Sequence, residues 1–420
     1  MRRTAAGLAA LVLAIGAAGS AAAQGAQKGD YPALFDQVWK TIDEGFYDPT
    51  FGGRDWKAIG ARYRARLAGV RDDKGFAALA GEMLGELKVS HLHLSPPSTS
   101  TASGAGIGVE TREIAGARTV VEVAPLSDAW AKGLRPGDVL AGEPEALRGP
   151  LGSTATVAVR SCDGRARTLS VRRERALWPP AKPGFTWSTI ATGPGARFGY
   201  LRIDRFDDGA AEIADQAMAD LGKTQGLIID VRRNSGGNAS ALRLASYFTR
   251  PGERPSFALF AQPWLKALGR PVTAEDVRKG PRIVRAYTTE AVQKAVGDNN
   301  GAAVFYIEDL GDKRYAGPVV VLIGEDTGSA AEGFAWTMRE ETSARLIGRQ
   351  SAGALLSSDT VELRGGWKLT LPIQGIWGAD GRDYGDKAVP PHEVVPLTRA
   401  DLCAGRDPDL QRAMAVLGAR

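Results

Sequence analysis

The chain has 420 residues, of which 44% are hydrophobic and 24% charged, a composition typical of a globular protein with a substantial core. The formal net charge is +5, but the basic residues are dispersed among acidic ones, which argues against a nucleic-acid surface. The only histidines are His91, His93 and His392, and no Cys/His spacing is typical of a metal site, so the sequence implies neither a metal ion nor another cofactor.

Residues 1–23 have the pattern of a secretory signal. Arg2 and Arg3 form a charged start, Ala5–Ala18 an apolar stretch, and Ala21–Ala23 a small-residue cleavage site. The apolar stretch is short for a membrane span, and no later segment is long and apolar enough to form one. We therefore expect an exported protein, periplasmic or extracellular, with a retained N-terminal anchor as the alternative. The sequence does not indicate an oligomeric state.

The two cysteines, Cys162 and Cys403, lie far apart in the sequence. Export makes a disulfide chemically possible, but the sequence cannot place the two residues within bonding range. Because their separation suggests different domains, we expect them to be unpaired.

Apolar residues recur at helical spacing from Tyr31 to Leu87, which predicts a small helical bundle in an N-terminal domain of residues 24–95. The domain ends at Lys88–Leu94, whose alternation predicts a short strand. In a strand, Ser90 and His91 face opposite ways, and His93 shares the face of His91. A histidine on such a strand is often structural, but imidazole is also the commonest base for a serine nucleophile.

A linker over residues 96–103 leads into a β-rich domain, which we place at residues 104–175. Its segment Gly133–Leu140, of sequence Gly-Leu-Arg-Pro-Gly-Asp-Val-Leu, resembles a marker of bacterial protease-associated PDZ domains. That resemblance implies that the loop of Gly106, Ile107 and Gly108 offers backbone N–H groups to a peptide carboxylate. The stretch after Leu140 is short, so we expect the helix beside the peptide groove to be cut down. A plain β-rich domain is the alternative.

A third domain, which we place at residues 185–420 after a proline-rich boundary, contains a β-α-β pattern. The buried strand 226–231 leads through Gly236 and Gly237 into a helix from about Ser240. Adjacent glycines let the backbone turn its N–H groups toward a ligand oxygen, although an ordinary strand-to-helix turn has the same pattern.

Ser329 lies in a second turn of this kind, between the apolar strand Val319–Ile323 and a helix from Ala330 to Glu340. A serine in a strand–turn–helix setting is typical of acyl-transfer nucleophiles, and it is also a common helix N-cap. Between the two turns, residues 251–316 are expected to elaborate the sheet and to form one wall of a cleft. The rest of the chain predicts a hairpin of Thr360–Leu363 with Trp367–Ile373 and a terminal helix of Pro408–Leu417.

Three motifs in this order resemble the tail-specific, or C-terminal-processing, serine protease family: residues 227–237, Thr327–Glu332 and Ile347–Gly353. The resemblance implies an α/β (α+β) protein with a ClpP/crotonase-like β-α-β protease core. The N-terminal helical bundle and an inserted PDZ-like domain complete this expected fold.

The family resemblance also implies which residues carry the chemistry. One branch uses a lysine base at a position that is Ala354 here. The other branch, similar to the tricorn protease core, takes a Ser-His pair from the end of the helical region, which Ser90 and His91 match. It also takes an acid near the C-terminus, for which Asp386 is the first candidate and Asp383 the second.

By this resemblance Ser329 is the nucleophile, His91 the base and Ser90 a residue that orients His91. The N–H groups of Ala330 and of Gly236 or Gly237 hold the oxyanion. We therefore expect a secreted serine endopeptidase acting on a peptide or protein substrate, with recognition of protein C-termini. The alternatives are a degenerate relative that binds peptide or lipid, as retinoid-binding proteins of similar fold do, and a scaffold that binds through its PDZ-like domain.

Overall fold

A computed structural model of the protein describes residues 30–97, 105–142, 144–175, 184–193, 196–250 and 254–418. The expected secretory signal, most of the linker and the proline-rich boundary lie outside the described residues. None of the helices in the described part of the chain combines the length and hydrophobicity that a membrane crossing requires.

The helices of the described residues occur at both ends of the chain and between the strands of the C-terminal half. They are α1 (Tyr31–Gly45), α2 (Trp56–Arg66), α3 (Asp73–Gly85), α4 (Asp128–Ala131), α5 (Ala210–Leu221), α6 (Ala241–Ala245), α7 (Gln262–Leu268), α8 (Ala274–Lys279), α9 (Thr289–Asp298), α10 (Ala330–Glu341), α11 (Arg399–Ala404) and α12 (Pro408–Gly418).

The strands of the described residues form three sheets. They are β1 (His93–Ser95), β2 (Val109–Ile114), β3 (Ala117–Val123), β4 (Val139–Ala141), β5 (Thr154–Arg160), β6 (Ala166–Arg172), β7 (Phe185–Gly193), β8 (Ala196–Ile203), β9 (Gly226–Asp230), β10 (Phe257–Ala261), β11 (Arg282–Ile283), β12 (Ala302–Phe305), β13 (Val319–Ile323), β14 (Arg345–Gly348), β15 (Ser357–Glu362), β16 (Lys368–Trp377) and β17 (Glu393–Val394).

The central sheet has the strand order β17-β14-β13-β9-β8-β7. All its neighbouring pairs are parallel except β7 with β8. β9 is buried at every position, as a parallel strand covered on both faces should be. Because parallel strands end at one edge, the turns that follow β9 and β13 lie side by side. The α/β fold expected from the sequence is confirmed.

The N-terminal helices pack on a second sheet, of order β1-β16-β10-β12-β11 with β15 on β16. Each of α1, α2 and α3 begins after an aspartate, Asp30, Asp55 or Asp72, whose carboxylate accepts an N–H of the first turn. Their apolar faces share one hydrophobic cluster with the sheet, for example Phe35 and Phe76 with Phe260 and Trp377. The helices therefore have no core separate from that of the second sheet.

The prediction of a strand through Ser90 and His91 is wrong. β1 begins only at His93, and Ser90 and His91 form a turn in which His91 has a φ of 57°. Apolar residues alternate here, but the chain reverses its direction after α3 and does not extend as a strand. Lys88 also has a positive φ, which is consistent with this reversal. In this turn the side chains of Ser90 and His91 meet instead of facing opposite ways.

Residues 105–175 form a five-stranded antiparallel sheet, β2-β3-β4-β5-β6, which we call the inserted domain. It has its own hydrophobic cluster, in which Ile107, Val120 and Leu134 are buried. Between β4 and β5 the described residues contain a single 3₁₀ turn, Pro144–Leu147, in place of an α-helix. The described residues of this stretch therefore contain no α-helix, as the short sequence after Leu140 suggested.

The expectation of unpaired cysteines is wrong. Cys162, in the turn between β5 and β6, forms a disulfide with Cys403 of α11. The large sequence separation does not keep the cysteines apart, because α11 lies against the inserted domain. The two Cα atoms are therefore 5.6 Å from each other.

Candidate active site

Ser329 occupies the turn between β13 and α10, directly before the first residue of the helix. Its backbone has φ 51° and ψ −122°, a conformation that a non-glycine residue adopts only when its surroundings impose it. The side chain is half-buried, and it lines an apolar pocket. Ser329 is therefore held at the sheet edge beside the N-terminal N–H groups of α10, as the sequence predicts.

The glycine turn after β9 faces Ser329. A Cβ on Gly236 would lie 2.7 Å from Ser329 Cβ and 3.2 Å from Ser329 Oγ, so the two turns are in contact. Gly237 has a φ of 140°, and a Cβ there would lie 2.0 Å from the carbonyl oxygen of Phe206. Only glycine fits at both positions without a shift of the backbone.

The hydrogen bonds distinguish Gly236 from Gly237 and Ala330, the other two residues predicted to bind the oxyanion. The Gly236 N–H donates to Asn234 Oδ1 over 2.9 Å, so of the two glycines predicted as alternatives Gly237 is the one with a free N–H. The N–H groups of Gly237 and Ala330 have no acceptor among the described residues. Gly237 is also exposed, whereas Gly236 is buried.

Hydrogen bonds join the glycine turn to the turn of Ser329. The Gly328 N–H donates to the carbonyl oxygen of Asn234 over 2.9 Å, and Thr327 Oγ1 donates to the carbonyl oxygen of Val231 over 2.9 Å. Asn234 and Thr327 are fully buried. The Nδ2 group of Asn234 is buried and has no hydrogen-bond partner in the described part of the chain. These bonds fix the spacing between the glycine turn and Ser329.

Glu332 lies fully buried beneath Ser329, and its carboxylate accepts hydrogen bonds from the surrounding backbone. Its Oε2 accepts the N–H groups of Ser329, at 3.0 Å, and Ala354, at 2.8 Å. Its Oε1 accepts the N–H of Gly353, at 2.7 Å, and the hydroxyl of Ser351, at 2.6 Å. Burial raises the pKa of Glu332, while these four donors oppose the rise.

No role was assigned to Glu332 from the sequence, although the sequence contains a capping-box pattern that indicates one. Ser329-Ala330-Ala331-Glu332 has the spacing of a capping box, in which the third helical residue returns to the N–H of the capping serine. Ser351 was missed as well. Its Oγ, besides donating to Glu332, accepts the N–H of Val389 over 2.6 Å.

The Ser90–His91 turn reaches the site through the segment 383–389. His91 Nδ1 lies 3.1 Å from Ser90 Oγ, and the Ser90 N–H donates to Asp386 Oδ1 over 3.0 Å. The same segment packs on the loop below Ser329, since the Leu355 N–H donates to Gly385 and the Ser329 N–H to the carbonyl oxygen of Ala354. The structure thus places Ser90, His91 and Asp386 together, next to the loop that binds Ser329.

No hydrogen bond joins Ser329 Oγ to His91 among the described residues. Catalytic hydrogen bonds are often long in enzymes without substrate, so this geometry does not exclude His91 as the base. Burial lowers the pKa of His91, and the Asp386 carboxylate partly offsets this effect. The imidazole is therefore neutral near pH 7 and able to accept a proton.

The other candidate acids and histidines have structural contacts. Asp383, the second choice for the acid, accepts the Gly385 N–H over 2.8 Å within its own loop. His392 Nδ1 accepts the N–H of Leu346 over 3.0 Å and so ties the end of the chain to β14. His93 pairs with Thr370 of β16. In the described ranges, no group of three or more His, Cys, Asp or Glu side chains could hold a metal ion.

A pocket of about 170 Å³ opens beside Ser329. Its walls come from α6, α9, α10 and β10, so the expected contribution of residues 251–316 to one wall is present. The lining is mostly apolar, with Leu242, Leu259, Val292 and Phe334 among its residues. None of the described lining residues belongs to the inserted domain.

The predicted peptide-binding loop lies at the start of the inserted domain. Gly106 and Gly108 flank Ile107, whose side chain is buried in the domain's cluster. The carbonyl oxygens of Gly106 and Gly108 accept the N–H groups of Glu174 and Ala124. The N–H groups of Gly106, Ile107 and Gly108 have no acceptor within the described residues.

Comparison with known proteins identifies the family. Residues 197–395 match the model of Peptidase family S41, and residues 28–85 match that of the Tricorn protease C1 domain. The chain therefore contains a peptidase family S41 domain and a Tricorn C1 domain. It is accordingly a serine-type peptidase, as the sequence motifs predicted.

Relatives of similar length have the same family resemblance. The chain is 24% identical to the chloroplastic C-terminal processing peptidase of Tetradesmus obliquus, over 88% of this chain and 79% of the relative. It is also 24% identical to the carboxyl-terminal-processing protease of a Picosynechococcus species, over 92% and 89%. Among solved structures, mature CPAF has the same fold, with a TM-score of 0.66 and 16% identity over 92% of this chain and 96% of that one.

The four bonds to Glu332 predict a large effect of Glu332→Gln. The amide NH₂ group would replace one of the two oxygens and leave at least the N–H of Gly353 without its acceptor, and a buried donor left unpaired costs about 1–3 kcal/mol. We expect the free energy of unfolding to fall by about 1–3 kcal/mol, measured by urea titration, together with a loss of peptidase activity. Glu362→Gln, at an exposed site beside Lys368, should leave both quantities unchanged. An unchanged unfolding free energy in Glu332→Gln would contradict the role given to these bonds.

Proposed function

We propose that the protein is an endopeptidase that uses Ser329 as its nucleophile and His91 as its general base. The observation that carries the proposal is the strained turn at Ser329, which lines one pocket together with Gly237 and Ala330, whose N–H groups have no acceptor among the described residues. Strain of this kind costs on the order of 1–3 kcal/mol and is typically retained at functional sites.

The proposed reaction follows from these positions. Ser329 Oγ attacks the carbonyl carbon of the scissile peptide bond while His91 accepts its proton. The negative oxygen of the tetrahedral intermediate binds the N–H groups of Gly237 and Ala330 at the N-terminus of α10. His91 then gives its proton to the leaving amine, and a water molecule hydrolyses the acyl-enzyme by the same steps.

Ser90 and Asp386 are proposed to position the base. A hydrogen bond from His91 Nδ1–H to Ser90 Oγ would leave Nε2 unprotonated and able to accept the serine proton. Asp386 binds the Ser90 N–H and therefore fixes the turn that carries the imidazole. The acid thus acts on His91 through Ser90, in agreement with the Ser-His arrangement predicted from the tricorn-like branch.

Export to the periplasm or beyond the cell, a PDZ-like role for the inserted domain and recognition of protein C-termini belong to the same proposal. The free N–H groups at Gly106, Ile107 and Gly108 support peptide binding, while the 3₁₀ turn at Pro144–Leu147 offers little of a groove wall. An accessible disulfide is typical of exported proteins. The relatives named for C-terminal processing suggest the substrate end that is cleaved.

A second candidate is binding of an apolar ligand or peptide without catalysis. The apolar pocket and the missing hydrogen bond between Ser329 and His91 favour it. The experiments below distinguish the two, since a binding protein has no activated serine.

Ser329→Ala and His91→Ala should each abolish cleavage of an unstructured peptide, with kcat falling by at least about 10³-fold. Ser329→Ala removes the nucleophile, and His91→Ala removes the proton acceptor. Peptide cleavage would be followed by mass spectrometry, with circular dichroism to show that the variants are folded. His93→Ala, on the neighbouring strand, is the matched control and should keep wild-type activity. Full activity in Ser329→Ala would rule out the proposed function.

The pH profile of kcat/KM should test the positioning of His91. The Asp386 carboxylate raises the pKa of His91, so Asp386→Asn should lower that pKa and move the acid limb of the profile to lower pH. Asp383→Asn, whose carboxylate binds only within its own loop among the described contacts, should leave the acid limb in place. An acid limb that moves equally in both variants would show that Asp386 has no particular link to His91.

The apolar pocket predicts the side chain that precedes the scissile bond. A dry apolar cavity of about 150 Å³ holds a benzene ring, so this pocket should accept leucine or phenylalanine. Burial of an unpaired charge is unfavourable, and peptides with lysine or aspartate there should have a kcat/KM at least about 100-fold lower. Matched peptides that differ only at this residue provide the measurement. Equal rates for leucine and lysine would mean that the pocket does not bind this side chain.

A further inference from the structure

The inserted domain contacts both turns of the active site. Arg112 of β2 forms ion pairs with Glu325 and Asp326, which lie in the loop that leads into Ser329. Glu122 of β3 forms an ion pair with Arg233, which lies at the start of the glycine turn. Two paired strands of one sheet therefore contact both the turn of Ser329 and the glycine turn.

The same domain is bonded covalently to the end of the chain. Cys162 bonds to Cys403 of α11, and Arg399 lies one turn earlier on the same helix face. Arg399 donates to the carbonyl oxygens of Gly137, at 2.8 Å, and Ser161, at 2.7 Å. The disulfide lies against Gly137, where a Cβ would come within 2.6 Å of both sulfur atoms.

The segment held by the disulfide continues directly into residues that fix the glycine turn. After α11, Asp407 and Asp409 bind the guanidinium of Arg232, with N–O distances of 2.7 and 2.9 Å. Arg232 follows β9 and precedes Arg233 of the glycine turn. Asp409 also binds Arg349 at 2.8 Å, and Arg349 in turn binds Glu325 of the nucleophile turn. The covalent bond and the ion pairs thus act on the same two turns.

The ion pairs alone are a weak attachment. Glu325 and Asp326 are about half exposed, and exposed ion pairs contribute little and are screened by salt. The inserted domain is joined to the rest of the protein by the chain on either side of it, and the disulfide adds a third covalent connection. This connection raises the effective concentration of the domain at its contacts with the two turns. Cys162 and Cys403 are both exposed, and exposed disulfides exchange readily with thiols.

We propose that the Cys162–Cys403 disulfide is a redox-sensitive tether that keeps the inserted domain seated on the two catalytic turns, so that its reduction lowers peptidase activity. Arg112 and Glu122 are then positioning residues. The seated domain leaves the pocket beside Ser329 open, since no described lining residue comes from it, so the oxidised form is the active one. The proposal rests on the proposed function for its effect on catalysis.

The reductant is a dithiol. One of its thiolates attacks a sulfur atom of the disulfide and forms a mixed disulfide, and the other cysteine leaves as a thiolate that takes a proton. The second thiol of the reductant then attacks the mixed disulfide and releases the remaining cysteine. Two electrons and two protons pass to Cys162 and Cys403, and the dithiol becomes a cyclic disulfide.

The first test compares the full chain with and without dithiothreitol, beside Cys162→Ser with Cys403→Ser in one variant. Reduction should lower kcat for an unstructured peptide by about 10-fold and change KM less. A change of this size is within the range that mutations distant from a site typically produce. The double variant should show the lower kcat with or without dithiothreitol. Arg112→Ala should also lower kcat, whereas Arg165→Ala, in the turn of Cys162 and without contact to the catalytic turns among the described residues, should not.

The second readout does not need catalysis. Hydrogen–deuterium exchange should become faster on reduction in residues 232–238 and 324–330 and stay unchanged in α5. Unchanged exchange and unchanged kcat, in protein whose two thiols have been counted, would overturn the tether. If every form lacks peptidase activity but exchange in the two turns responds to reduction, the tether stands and the proposed function fails.

Discussion

The carboxylate of Glu332 binds three backbone N–H groups and one hydroxyl while fully buried beneath the turn of Ser329. A buried charge is unfavourable unless it is fully hydrogen-bonded, and here both oxygens have two donors. Two of the donors come from Gly353 and Ala354, in the loop after β14, and one is the N–H of Ser329. The positive φ of Ser329 is sustained by these bonds, because helix α10, the loop and the serine cannot move independently.

The rest of the site is arranged around this fixed point. Hydrogen bonds from Gly328 and Thr327 bind the glycine turn, and the segment 383–389 binds both the loop below Ser329 and the turn of Ser90 and His91. Three separate parts of the chain therefore meet at one sheet edge: the end of the N-terminal helices, the turns after β9 and β13, and the C-terminal segment. The inserted domain contacts the turns after β9 and β13 from outside, through Glu122 and Arg112.

The sequence predicted local features better than contacts between distant segments. Apolar periodicity located β9, β13 and α10 to within about one residue, because buried strands and helix faces impose a strong pattern. Ser329, His91 and Asp386 were predicted as site residues from motif order and spacing, and the contacts of Asp386 with Ser90 and of Ser90 with His91 fit that prediction. The Ser90–His91 turn was missed because a positive φ leaves no apolar pattern, and the disulfide because it depends on how two domains meet. The bond from Gly236 to Asn234 was missed because backbone donors carry no residue signature.

The central claim is that the turn which Glu332 holds makes Ser329 reactive. The most direct measurement is to label the folded protein with a fluorophosphonate and to identify the modified residue by peptide mass spectrometry. We expect one phosphonyl group per chain, on Ser329, with labelling abolished in His91→Ala because the proton acceptor is lost. Labelling of another serine, or an unlabelled protein shown to be folded, would contradict the claim.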